Sequence, residues 1–437
     1  MPLLMTSRRR GASGRVAIAA AAGIALVSVA NACSDIFSLE QENPGQLSTS
    51  TLFVPANAQL LTNGAISDFE CAFGRYVAAS GLLMDELIAA IASSNNFDYE
   101  RRTLPTNAPY GTGSCTSSQS PGVYTTLSTA RATADTALAR MEGWTDTEVP
   151  NRTRLIGQLA AYAGYSITLL GEGMCSAAIN VGPEMTPAAL FAEAKLRFDR
   201  AISAATAAND ATTLNFARVG RARAQLNLGQ PAAAATDAAL VPSGFVVNTS
   251  PDAVNTRRQN FVFVHTAQNF HASVDPSFRN VLLPNGQPDP RVATTNTGRN
   301  GTAPGVVVWT ANKYPALTTP LPIATYAEAQ LVVAEAHVAA DDLSAAQTAI
   351  NNARATHTGV PAYDATGQTA AQVRDQIIEE RRRELFLEGH RLGDIRRYNL
   401  PLNPATNTAY PAGGGNYGDQ RCFPLPDVER INNPNIS

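Results

Sequence analysis

The chain has 437 residues, is 44% hydrophobic and 7% aromatic, and carries a formal charge of −3. That length exceeds one minimal core, the apolar share excludes a wholly disordered chain, and the slightly acidic balance gives no support for nucleic-acid binding.

The first segment reads as an export signal. SRRRGASGR (7–15) is basic, and VAIAAAAGIALVSVA (16–30) is an uninterrupted apolar run too short for a comfortable membrane span. Ala30-Asn31-Ala32 fits a peptidase site, while Ala32-Cys33 resembles the lipidation site of an exported lipoprotein. Removing 1–32 takes away four Arg and no acid, leaving about −7. The five cysteines point the same way: with lipid on Cys33, the remaining four suffice for two disulfides in an oxidising compartment. Cys71 and Cys115 flank one early segment and are expected to pair, leaving Cys175 with Cys422, although sequence alone permits three pairings. No two of the cysteines have zinc-knuckle spacing.

Residues 33–54 are polar, as a tether would be, and a single domain is expected over 55–437. Apolar spacing predicts helix from about 55 to 92. Residues 93–122, rich in Ser, Thr, Asn, Gly and Pro, predict loop. Helices follow at 123–142, 152–171, 187–207, 213–229 and 231–240, with Thr186-Pro187 as a start signal. Periodicity is then lost over 241–322, where short apolar runs such as FVFVH (261–265) and GVVVW (305–309) predict a few short strands among long loops, an arrangement often tied to function. Helices resume at 325–340, 343–356 and 369–388, before a loop-rich tail from about 401 to 437.

Internal repetition defines the architecture. Ala222, Gly229 and Ala234 are spaced by 7 and 5, and Ala334, Asp341 and Ala346 repeat those offsets; Gly164 and Gly171 show the first again. Small residues at these places suit two helices that cross closely around a tight turn, the arithmetic of a tetratricopeptide pair. The fold class is therefore mainly α: helical pairs over about 55–240 and 325–400, with a loop-rich insert between.

Chemical motifs are few. There is no H-E-x-x-H, G-x-S-x-G, Walker A or dinucleotide fingerprint, and the only lysines are Lys195 and Lys313. Paired carboxylates for glycoside hydrolysis stay open, since their separation is a three-dimensional quantity. The densest charge lies in EERRRELFLEGHRLGDIRRYN (379–399). Glu388 and His390 straddle a glycine and do not share a helical face, which disfavours a metal. Val373, Ile377 and Leu385 make an apolar face, so the charges are expected on its flank, with Glu379–Arg383 and Arg381–Glu384 pairs and Gly389 as helix stop. Leu392, Ile395 and Tyr398 predict a second short helix.

This stretch resembles the C-terminal signature of the SusD/RagB family. The matching positions are Glu380, Arg381, Glu384, Leu385, Glu388, Gly389, Arg391, Asp394, Ile395 and Arg397. KYP…PLPIATYAEAQLVVAEAH (313–337), AINNARATHTGVP (349–361) and CFPLPDVERINNPNIS (422–437) agree with it in order. The resemblance implies a lipid-anchored, surface-exposed outer-membrane protein. It would be a binding protein and not an enzyme, without cofactor or metal, that hands oligosaccharide or peptide to a TonB-dependent, SusC-like transporter. It also implies ligand held by aromatic stacking on loops. Asn96, Phe97 and Tyr99 in 93–110, and Trp309 and Tyr314 in 298–314, are the candidates here, with core packing as the competing role for Trp309. A tetratricopeptide-type interaction scaffold and an exported helical hydrolase are the other readings.

Overall fold

The computed structural model describes residues 49–116 and 119–436. The signal segment, Cys33 and most of the tether lie outside the described residues. A four-residue helix, Thr49–Leu52, precedes a compact body that begins at Pro55.

Ala- and Gly-rich spacing becomes a succession of closely packed helices. They are α1 (Ala58–Leu83), α2 (Ser94–Glu100), α3 (Tyr124–Gly143), α4 (Arg152–Gly173), α5 (Pro187–Ala207), α6 (Ala211–Asn227) and α7 (Pro231–Ala238). After the insert come α8 (Tyr326–Ala339), α9 (Leu343–Arg354), α10 (Ala370–Glu384) and α11 (Arg391–Arg397). Thr186 caps α5 through a bond from Ala189 N, with Pro187 in the first turn. The small residues sit where large ones would collide: a Cβ at Gly164 would come within 2.7 Å of the Phe198 ring, and one at Gly171 within 2.6 Å of Phe191. Gly229 and Asp341 occupy equivalent left-handed turns, at φ +71° and +59°. Ala222, Ala234, Ala334 and Ala346 are fully buried beside those turns. The aromatic core runs through these pairs, with Tyr165 stacked on Phe216 at 4.3 Å and its hydroxyl donating to the Phe216 carbonyl. No helix among the described residues is long and apolar enough to cross a membrane.

The insert and its flanks, with one strand from the chain after α1, give strands in three antiparallel pairs. β1 (Leu87–Ala89) pairs with β3 (Ala272–Val274), β2 (Val246–Asn248) with β6 (Pro322–Thr325), and β4 (Thr294–Asn300) with β5 (Val307–Ala311). Three expectations need correction. Helix α1 stops at Leu83 instead of continuing to 92, because the chain turns to make β1. The apolar run at 261–265 is helical, a turn at Phe261–Phe263 passing into a π-turn at Val264–Gln268. Residues 94–100, expected as loop, form α2. Its partners are distant: Tyr99 Oη donates to Pro121 O at 2.7 Å, and Glu100 accepts from Ala89 N at 2.7 Å. Tertiary contact overrides weak propensity there.

The charged signature is not a solvated flank. Glu380, Arg381, Glu384, Glu388, Arg391 and Asp394 are buried. Glu380 accepts from Arg291 at 2.6 Å and Arg354 at 2.5 Å, and Arg391 grips Asp85 through two bonds of 2.6 Å. Glu384 meets His357 at 2.8 Å, and Glu388 meets Lys313. Arg381 bonds Asp394 across the turn, at 2.9 Å, instead of Glu384. Arg397 pairs with Glu335 and, at 3.1 Å, with Asp394. Glu379 does pair with Arg383, at 2.6 Å. Helix α10 ends at Glu384, and Gly389 lies beyond it at φ +76°, its carbonyl accepting from the buried Arg223 at 3.0 Å. The signature thus ties α10 and α11 to residues from most of the chain. Disulfides join Cys71 to Cys115 and Cys175 to Cys422.

Candidate functional site

The loops gather at one face built from α2, β1, the β4–β5 hairpin and the tail. The hairpin tip lies directly on the chain after β1. Ala303 N donates to Ala90 O at 2.9 Å, and Thr302 Oγ1 accepts from Ala92 N at 2.8 Å. Only glycine fits at 301, where a Cβ would lie 2.2 Å from Ala90 O. From the other side the tail folds back over α2. Arg102 is buried and donates to Gly418 O at 3.0 Å and Pro404 O at 2.5 Å, with Tyr417 beneath its guanidinium.

Between these segments lies a cavity of about 200 Å³. Ile88, Pro276, Pro304, Val306, Pro404 and Pro411 give it an apolar lining. Its polar floor is Glu100, which accepts from Tyr410 Oη at 2.8 Å and Tyr417 Oη at 3.0 Å. Burial raises the Glu100 pKa, opposed by these bonds and by the one from Ala89 N. Asp275, also lining the cavity, is raised by burial against the bond from Ser277 N. Rigid apolar rings around a few fixed polar groups are the usual makeup of a small-molecule site.

Three aromatic side chains on this face are half-buried and keep ring surface in reach of solvent. Phe97 packs edge-on against Tyr410 at 5.5 Å. Trp309 lies under Arg279 at 5.3 Å, and Phe270 under Arg299 at 4.9 Å. Of the ligand residues expected from sequence, Phe97 and Trp309 are therefore displayed. Asn96, Tyr99 and Tyr314 are not: all three are buried, and the Tyr314 hydroxyl donates to Leu387 O at 3.0 Å. Sequence reasoning missed Phe270, Tyr410 and Tyr417. Phe270 lies in the aperiodic stretch 241–322, and the tyrosines lie in a tail read only as loop. No group of three or more His, Cys, Asp or Glu among the described residues is placed to hold a metal ion.

The helical pairs with their few short strands are SusD-like in fold. Residues 249–435 match the model of the SusD family. A SusD superfamily protein from Bacteroides fragilis superposes with a TM-score of 0.68 at 15% identity, over 88% of this chain and 99% of that one. A laminarin binding SusD-like protein gives 0.58 at 14% identity, over 87% and 98%. The surface glycan-binding protein A of Bacteroides uniformis gives 0.65 at 13% identity, over 87% and 98%. No curated protein matches. The signature at 379–399 lies within the matched 249–435, and the fold of the described residues is that of SusD superfamily proteins.

Proposed function

We propose that this protein captures a glycan on its loop face and delivers it to a TonB-dependent, SusC-like transporter. In this reading residues 1–32 are removed and Cys33 carries the lipid that holds the protein on the outer membrane. The observation that carries the glycan assignment is the set of half-exposed rings, Phe97, Phe270 and Trp309, beside an apolar cavity with a hydrogen-bonding floor. Sugar rings present C–H faces that stack on aromatic rings and hydroxyl edges that seek such a floor. The solved relatives include a laminarin binder and a surface glycan binder, which supports the same class of ligand.

The site favours binding over catalysis. Glu100 is occupied on both oxygens by tyrosine hydroxyls and a main-chain N–H, so it serves as a fixed floor instead of a free acid or base. Calorimetric titration of the mature chain with a panel of oligosaccharides and peptides tests the assignment. A glycan should bind, and Trp309→Ala and Phe97→Ala should each weaken it roughly tenfold, about 1.4 kcal/mol, without shifting the melting temperature by more than a few degrees. Binding of peptides alone, or of glycan with both variants unaffected, would sink it. For the anchor, Cys33→Ala should release the protein from membranes, and the native protein should co-purify with a large outer-membrane barrel.

A further inference from the structure

We propose that the loop face selects oxyanion-bearing glycans, with uronate or sulfate groups, through Arg299 on Phe270 and Arg279 on Trp309. The inference rests on the glycan reading above and adds the class of sugar. Each arginine lies over an aromatic ring, at 4.9 and 5.3 Å from the ring centroids. Neither makes a direct ion pair with a carboxylate among the described residues, although Asp275 lies near enough to Arg279 for each to feel the other's charge, in a chain whose overall charge is acidic. Arg291, Arg381, Arg391 and Arg397 are by contrast each neutralised by carboxylates, and Arg102, which also lies over a ring, is buried with its donors on Gly418 O and Pro404 O.

The two platforms are built, not incidental. Arg279 donates Nε and Nη2 to Val274 O, at 2.8 and 2.6 Å, which fixes its plane and leaves Nη1 out of those bonds. Arg299 is exposed, on a hairpin arm whose tip docks beside the cavity. Beneath it, Phe270 is held at φ +54°, a left-handed conformation that a bulky side chain adopts only under strain. The π-turn at Val264–Gln268 delivers it there, and the next residue is locked by bonds from Ala90 N and Ile91 N to His271 O.

A guanidinium over a ring still offers N–H donors to an oxyanion, Arg299 through its exposed fork and Arg279 through Nη1, and charge-assisted bonds of this kind are about twice as strong as neutral ones. The carboxylates nearest the cavity offer little opposition. Glu100 and Asp275 are buried and hydrogen-bonded, with pKa values pushed upward, and Asp98 is paired with Arg101 at 2.6 Å.

The test is calorimetry on the mature chain with three probes of equal length: a neutral glucan oligosaccharide, an oligogalacturonate and a sulfated galactan oligosaccharide. At low salt, at least one acidic probe should bind tenfold or more tighter than the neutral one. That preference should shrink with added salt, and Arg299→Gln should narrow it about tenfold while Arg299→Lys restores part of it. Preference for the galacturonate alone assigns a carboxylate, for the sulfated probe alone a sulfate, and for both a charge-driven site. Equal or tighter binding of the neutral probe overturns the inference and leaves the glycan reading standing, as does an acidic preference that Arg299→Gln leaves untouched for the assignment to Arg299. Failure of all three probes overturns both readings.

Discussion

Asp394 sits between two guanidinium groups: Arg381 Nε reaches it at 3.0 and 2.9 Å, and Arg397 at 3.1 Å. All are buried or nearly so, and Glu335 balances the second positive charge. Removing one member leaves a buried charge without compensation, which is far costlier than losing a surface pair. Arg381→Ala is therefore expected to cost about 3–5 kcal/mol, read by urea or thermal unfolding, with glycan affinity of the folded fraction unchanged. A stable variant that had lost only its ligand would reverse the assignment of the signature to structure. Buried carboxylates also set the response to pH. Glu86 has one oxygen bonded to Leu387 N at 2.8 Å and the other without a partner, and burial pushes its pKa to about 8. Such a group binds more protons folded than unfolded, so its contribution to stability falls as pH rises from about 4.5 through 8. Glu328, raised by burial to about 7, adds to the same limb. Asp394 and Glu380, although burial opposes it, are held low by their arginines, so their contribution is lost in acid, below the ordinary carboxylate range. Stability should therefore peak at mildly acidic pH. Glu86→Gln should raise the melting temperature at about pH 8.5 and lose that advantage near pH 5; an equal gain at both values would show that the charge is not the cause.

At the scale of elements, the β4–β5 hairpin is the piece whose placement makes the cleft. It touches β1 through its tip, and Gly301 sets the closest approach, with no room for a Cβ against Ala90 O. Gly301→Ala should force the tip off by a few tenths of an ångström or more, at about 1–3 kcal/mol. The expected readout is a larger loss of ligand affinity than of melting temperature, since the helical pairs do not depend on the hairpin. Equal affinity in this variant would show that the tip does not shape the site. The same contrast explains what was legible in the sequence. Helices α4 to α6, α8 and α9 declare themselves, because the 3.6-residue period and the small residues at crossings are written within each element. Helix α2 does not, because what stabilises it is Pro121 O and Ala89 N, far along the chain. The charges at 379–397 are misplaced for the same reason: helical spacing within the stretch suggests local pairs, while Arg291, Arg354 and Asp85 come from elsewhere. In the site, Phe97 and Trp309 are displayed while Tyr99 and Tyr314 are core, a distinction between neighbouring aromatics that no spacing encodes.

Across the whole molecule, the tail is what makes the two ends of the sequence one site. Residues 403–436 run back over the first half of the chain, held by Arg102 at 403–418, by Asp427 N donating to Thr106 O, and by Asn433 donating to Gly182 O. Met174 and Phe423 form a bridge, with Cys175 N donating to Phe423 O, and the Cys175–Cys422 disulfide locks it across 247 residues of sequence. Tyr410 and Tyr417 hang from this tail, so the hydrogen bonds that hold Glu100 in the cavity floor depend on a staple at the far end of the same segment. Closing so long a loop is worth about 5 kcal/mol on the chain-entropy model. Cys175→Ala/Cys422→Ala should therefore lower stability by up to that amount while far-ultraviolet circular dichroism of the folded protein still reports the helical pairs. Amide exchange should accelerate first over 403–423, and ligand affinity should fall with it, because the tyrosine floor is released before the scaffold. If the tail stayed protected and binding persisted without the bridge, the ion pairs and main-chain bonds alone would suffice to hold the site, and the disulfide would serve only global stability.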